Sequence, residues 1–298
     1  MNWKLAHRIA SMAAIQAHRD LGVDRTQYVH VHRAIKEAGV IGMTQPMPRL
    51  FGVYFSPADK GPAVLLNATL NVITQRHTAA HELGHHRLGH RSAADKELDP
   101  ALRWGNGSWP DEEKTAEAFA AWFLMPLPAV RSALGRICGG RPSSPEHVYR
   151  LARELGTSYA GTVRHLENLR LLDSSRASQW AKIPPAGLRS ALAGGAALPA
   201  QTQVHVVTGA SDGQTVHADA GDVLVLHLDE AVFEVLPKGL EVWDSGGTSP
   251  LTAAVVTAEL EPAVRHLVEV GVHAQSRPLR LTVKREAPRV GVNDVWPD

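Results

Sequence analysis

The sequence predicts an α+β fold followed by a separate all-β, sandwich-like domain, and three observations predict it. Up to Leu172, apolar residues recur at helical spacing in long runs that alternate with short apolar stretches of strand length. Asp173 to Gln203 then turns Ser-rich, with Pro-Pro and Gly-Gly pairs, which is the texture of a linker. From Val204 onward, runs such as Val204 to Val207, Val223 to Leu226, Ala253 to Thr257, Leu267 to Val272 and Leu279 to Val283 are separated by Gly, Asp and Pro, as strands of a sandwich or barrel are. The chain thus divides into 1–140, 141–172, 173–203 and 204–298.

In chain order, residues 3–18 and 25–38 read as helices, the second opened by Asp24 with Gln27 three residues on and closed by Gly39. Val40 to Met43, Leu50 to Phe55 and Ala63 to Asn67 form a small sheet, and Val72 to Gly89 returns to helical spacing. Trp109-Pro110-Asp111 opens a further helix, with Pro110 in its first turn and Met125-Pro126 as its stop. Residues 145–172 resemble a helix-turn-helix, broken at Gly156-Thr157-Ser158. One short helix around Ala186 to Ala193 is expected inside the linker.

The helix from Val72 carries the chemistry. His81-Glu82-Leu83-Gly84-His85 is an H-E-x-x-H pattern, in which side chains four apart stand one turn above the other and reach a single ion. Glu82, next to the first histidine, is placed to take a proton from an attacking water and deliver it to a leaving amine, as a base and not a ligand.

Two histidines do not complete a catalytic zinc site, which needs a third protein ligand. The longer three-histidine pattern fails, because the positions where it needs Gly and His hold Leu88 and Arg91. A thiolate would have to come from Cys138, the one cysteine. The third route is a carboxylate from the helix after Pro110, where Glu113, Ala116, Glu117 and Ala120 share a face. Glu113 is the ligand this selects, although the helix dipole by itself also draws Asp111, Glu112 and Glu113 to that terminus. Glu117, one turn later, is placed to accept from a ligating imidazole.

His81-Glu82-Leu83-Gly84-His85, the interval of twenty-eight residues to Glu113, then Ala116-x-x-Phe119-Ala120 and Leu124-Met125-Pro126 together resemble the ImmA/IrrE family of metallo-endopeptidases. The likeness runs from about Arg33 to Leu172 and includes Gly52-Val53-Tyr54 and Leu65-Leu66-Asn67. It implies a minimal thermolysin-like peptidase in residues 1–140, with Zn2+ held by His81, His85 and Glu113 and with Glu82 as base. It also implies a protein substrate, a helix-turn-helix repressor or antitoxin, whose cleavage relieves transcriptional control. The chain departs from the family at Glu117, where Asn is common.

Tyr54, Tyr159 and His165 are the candidates for stabilising an oxyanion, and a sheet edge beside the metal helix is where an extended substrate would add as a strand. Residues 141–172 are expected to pack on the peptidase. The alternative is a non-hydrolytic regulator that binds a repressor, or DNA through Arg164, His165 and Asn168. Four arginines against three glutamates in 145–172 make a weak footprint for DNA.

No stretch approaches the roughly twenty apolar residues of a membrane span, and Ile9 to Ala17 reads as an amphipathic helix rather than a signal peptide. A single cysteine gives no disulfide framework, so a reducing cytoplasm is expected. The net charge of +1 hides a split: Val204 to Asp298 holds seven Lys plus Arg against fourteen Asp plus Glu, leaving the rest of the chain at +8. Asp244-Ser245-Gly246-Gly247-Thr248 is Gly-rich but has no lysine and no strand-to-helix setting, so it reads as a turn and not a phosphate loop.

Overall fold

The computed structural model describes residues 1–96, 109–244, 251–273, 277–287 and 290–292, and the run 245–248 lies outside them. The fold is mixed α+β, in two compact units: Met1–Val130 together with Pro288–Asp298, and Arg131–Ala287.

In the first unit α1 (Trp3–Asp20) is capped by Asn2, whose side chain accepts from the Leu5 N–H. Its buried stripe is Ala6, Ala10, Ala14 and Ala17, small residues that bring it close to α4 (Asp111–Leu124). The large apolar residues Leu5, Ile9 and Met12 lie on the exposed side. The second helix is shorter than the sequence suggested: α2 spans Val31–Glu37 only. Asp24 does cap, but it accepts from Thr26, two residues on, and so makes a local turn rather than a helix start.

Five strands form one sheet in the order β13 (Gly291–Val292), β1 (Ile41–Gln45), β3 (Ala63–Asn67), β2 (Leu50–Phe55), β4 (Ala93–Lys96). β1 and β3 are parallel, and the other pairs are antiparallel. Asn67 ends β3 by tying the neighbouring loop together: Oδ1 accepts from Met47 and Thr69 N–H groups, and Nδ2 donates to the Met47 and Leu50 carbonyls. The chain then enters α3 (Val72–Leu88), with the Asn71 side chain accepting from Thr74 N–H at its start and Gly89, at φ 69°, closing it in the left-handed region that glycine tolerates. α3 packs on both β2 and α4.

α5 (Leu127–Cys138) leads into the second unit, where α6 (Pro145–Leu155) and α7 (Tyr159–Asn168) form the helical pair read from the sequence. This pair is grouped with the C-terminal strands in one unit. The Tyr149 hydroxyl donates to the Gln203 side chain and accepts from Val204 N–H, binding α6 to the start of β5 (Val204–Val207). The expected linker is also more ordered than its composition implied. It holds α8 (Ser174–Trp180), capped by Asp173, and α9 (Pro185–Leu192).

The strands from Val204 make two four-stranded sheets. One runs β5 (Val204–Val207), β7 (Val223–Leu226), β10 (Ala253–Val256), β9 (Leu240–Val242); the other runs β6 (Thr215–Ala218), β12 (Leu279–Arg285), β11 (Arg265–Val272), β8 (Ala231–Val235). Leu224, Leu226 and Val256 from the first and Val268, Leu281 and Val283 from the second share one core, which makes the pair a sandwich. Among the described residues no single helix is long and apolar enough to cross a membrane.

Candidate metal site

The site forms where α3 meets α4. His81 and His85 stand one turn apart on α3, both about 1 % exposed, and Glu113 faces them from the first turn of α4. His81 Nε2 lies 3.1 Å from both His85 Nε2 and Glu113 Oε2, and His85 Nε2 lies 3.6 Å from Glu113 Oε1. Two ligands held about 2.0–2.1 Å from a tetrahedral ion are separated by roughly 3.3–3.4 Å. Separations of 3.1–3.6 Å among the two imidazole nitrogens and the two Glu113 oxygens lie close to that spacing and fit a single divalent ion. Among the described residues this is the one such group of His, Cys, Asp and Glu side chains.

The electrostatics favour the protonation states a metal needs. Burial alone would raise the Glu113 carboxyl, but hydrogen bonds and attraction from His81 and His85 outweigh it and hold the group well below the usual carboxylate range. Burial pushes His85 down, towards the neutral imidazole, against the opposing pull of Glu113.

The outer nitrogens of both imidazoles also face polar groups. His81 Nδ1 lies 3.5 Å from Glu117 Oε2, and the same oxygen is 2.9 Å from His77 Nε2. Glu117 is buried, which opposes its charge, but His77 and His81 hold it ionised. His85 Nδ1 lies 3.1 Å from Nδ1 of His90, whose Nε2 is 3.4 Å from Thr115 Oγ1. Burial, with His85 adding to it, lowers His90 to about 4, so it is neutral. With His85 Nδ1–H donating to His90 and His90 Nε2–H aimed at Thr115, the His85 Nε2 lone pair is left for an ion.

His77 and His90 were not assigned a role from the sequence. His77 carries a weak signal, being one turn before His81 on the same face. His90 carries none, because it reaches back only through the turn at Gly89, which bonds His90 N–H to the His85 carbonyl.

Glu82 is 1 % exposed and lies against β2. A β-carbon on Gly52 would come 2.5 Å from Glu82 Oε1 and 2.7 Å from Thr78 Cγ2, so glycine there is what gives the carboxylate its place.

The three oxyanion candidates fare differently. Tyr54 is buried, its ring stacked on His85 at 6.1 Å and its hydroxyl 3.2 Å from His86 Nδ1. Tyr159 donates to the Trp180 carbonyl in the second unit, and His165 is 1 % exposed on α7. Tyr54 thus contacts His85, one of the three residues that could hold a metal ion.

Two histidines and a glutamate converging from two helices, with a buried carboxylate between the first pair, define a metallopeptidase-like domain. Residues 48–166 match the IrrE N-terminal-like domain of a peptidase family, and this stretch is similar to that domain. The resemblance carried by the motifs therefore holds over that span. No curated protein matches the chain.

Proposed function

We propose that the protein is a zinc-dependent endopeptidase that cleaves a regulatory protein, a helix-turn-helix repressor or antitoxin, and so relieves transcriptional control. The observation that carries the hydrolytic reading is the convergence of His81, His85 and Glu113 within 4.8 Å of one another. The family match supports it. The repressor or antitoxin as target rests on the family resemblance.

His81, His85 and Glu113 would hold the ion. When bound, zinc supplies Lewis acidity to water and to a carbonyl oxygen. Glu117 and His90 fix the tautomers of His81 and His85, so that each presents a lone pair at Nε2. Glu82 takes the proton of the attacking water at its carboxylate and returns it to the leaving nitrogen. Glu82 is itself 1 % exposed, which keeps bulk water from that proton. An extended substrate would pair along β4, the sheet edge next to β2.

A purely DNA-binding role is less well supported, since His165, one of its three expected contacts, is buried. The deciding experiment incubates the full chain with candidate repressors and follows cleavage by mass spectrometry. Glu82→Gln should retain zinc and lose at least about 10²-fold in cleavage rate, the scale of general acid–base catalysis. Unchanged cleavage in that variant sinks the hydrolytic assignment.

A further inference from the structure

The second unit contains a cleft that the peptidase chemistry does not use. Its walls come from α5 and α6 on one side and from β5, β6 and the turn between them on the other. Arg136, Arg150 and Arg153 line it together with Thr208, Ser211 and Thr215, and the Thr208 and Ser211 hydroxyl oxygens accept from each other's backbone N–H, which leaves their O–H groups to donate. Glu154, the one carboxylate in the lining, is paired with Arg136. His205 and His217 also line it, and each is tied to a carboxylate, Asp222 at 3.1 Å and Glu286 at 2.8 Å.

Two of the arginines are under-used. Arg150 is half-buried and makes no hydrogen bond or ion pair among the described residues. Arg153 is 7 % exposed, donates only to the Thr157 carbonyl, and has a buried Nε without a partner. A guanidinium has five N–H donors, and a buried one left with a single acceptor is costly unless an anion joins it. Arg153 stands over the Tyr149 ring at 5.4 Å, which holds the side chain in place without supplying an acceptor. Burial lowers both guanidinium groups, and it outweighs the opposing attraction of Glu154 on Arg150 and of Tyr149 and Asp222 on Arg153.

The size of the cleft limits what fits. Its volume of about 70 Å³ holds roughly five to seven water-sized bodies at ~10–15 Å³ each, which is room enough for a small tetrahedral oxyanion. The apolar lining, Ile137, Val206 and Val216, contains no aromatic ring on which a base could stack.

We propose that this cleft is a binding site for a phosphate group, with Arg150 and Arg153 as its charged partners and the hydroxyls of Thr208, Ser211 and Thr215 as its neutral ones. The phosphate comes from a small phosphomonoester or from free inorganic phosphate. Planar guanidinium groups match its oxygens in pairs. The site lies wholly within the second unit and is independent of the metal residues.

Isothermal titration of the full chain with inorganic phosphate, and separately with glycerol phosphate, tests this at constant ionic strength. Saturable binding that weakens at least tenfold in Arg150→Gln, and is partly restored in Arg150→Lys, is the expected result. Tighter binding of glycerol phosphate would assign the site to an organic ester, and tighter binding of inorganic phosphate to the free ion. Absence of saturable binding by either, or equal affinity in Arg150→Gln, overturns the proposal. Since zinc itself can take phosphate, the Arg150→Gln comparison also separates the two sites, and neither outcome bears on hydrolysis.

Discussion

Gly84 of α3 lies against Ala116 of α4 so closely that a methyl group on Gly84 would sit 3.2 Å from the Ala116 Cα and carbonyl oxygen and 3.0 Å from Phe119 Cδ1. His85 follows Gly84 directly, and Glu113 is one turn before Ala116, so this contact bears on the separation of the residues that could hold a metal ion.

Gly84→Ala is therefore expected to part the two helices by a few tenths of an ångström. Overpacking of this kind costs about 1–3 kcal/mol. Thermal unfolding should fall accordingly, and zinc titration should show weaker binding with Glu113 affected most. Full zinc affinity in a destabilised protein would show that the ligands do not depend on this approach.

Removing the outer partners of the ligands should weaken the metal without removing it. Glu117→Gln and His90→Phe are each expected to cost about 10–100-fold in zinc affinity, the usual effect of losing a partner that orients a ligand. A competition titration against a chelator measures it. Glu113→Ala should lose more than either, because it removes a ligand.

Gly52→Ala separates placement of the base from metal binding. The added carbon overlaps Glu82 and Thr78, and neither is a ligand in the proposed site. Zinc content should stay at the wild-type level while cleavage falls, and a fall in both would mean that β2 supports the ligands as well.

His18 gives the first unit a pH dependence away from the metal. Its Nε2–H donates to the Phe123 carbonyl at 2.9 Å, and its Nδ1 is buried without a partner, so protonation would bury an unsatisfied N–H. Burial lowers its pKa from 6.5 to about 4, with the Phe123 carbonyl opposing and Arg25 adding to the fall. Between those values the unfolded chain binds the proton and the folded chain does not. The contribution is complete above pH 6.5 and is lost as pH falls towards 4, reaching ~3 kcal/mol at one pKa unit per 1.36 kcal/mol. His18→Gln should flatten that part of the stability–pH curve, measured by denaturant unfolding between pH 7 and 4.

The metal helix was legible because its signals are local: Asn71 at the start, Gly89 at the end, and the i, i+4 spacing of His81 and His85 between them. Glu113 was reachable because Pro110 and Met125-Pro126 delimit its helix. Asp24 misled because an aspartate that accepts from the second N–H after it uses the same chemistry as a helix cap. The short helix at Asp173 was hidden by its serines, which favour turns and caps alike. Strand positions beyond Val204 followed from spacing, but their order did not. That β5 runs parallel to β7 and β6 parallel to β12 depends on partners distant in the chain.

The first unit is assembled from two separated pieces of chain, since β13 pairs with β1 only after the whole of Arg131–Ala287 has intervened. During synthesis His81, His85 and Glu113 emerge early, while the outer edge of β1, with Ile41 and Met43 exposed, waits for residues 291–292. A nascent chain thus carries every proposed zinc ligand before its sheet is closed. For that interval an unpaired strand edge is open to any other extended segment, a neighbouring nascent copy included.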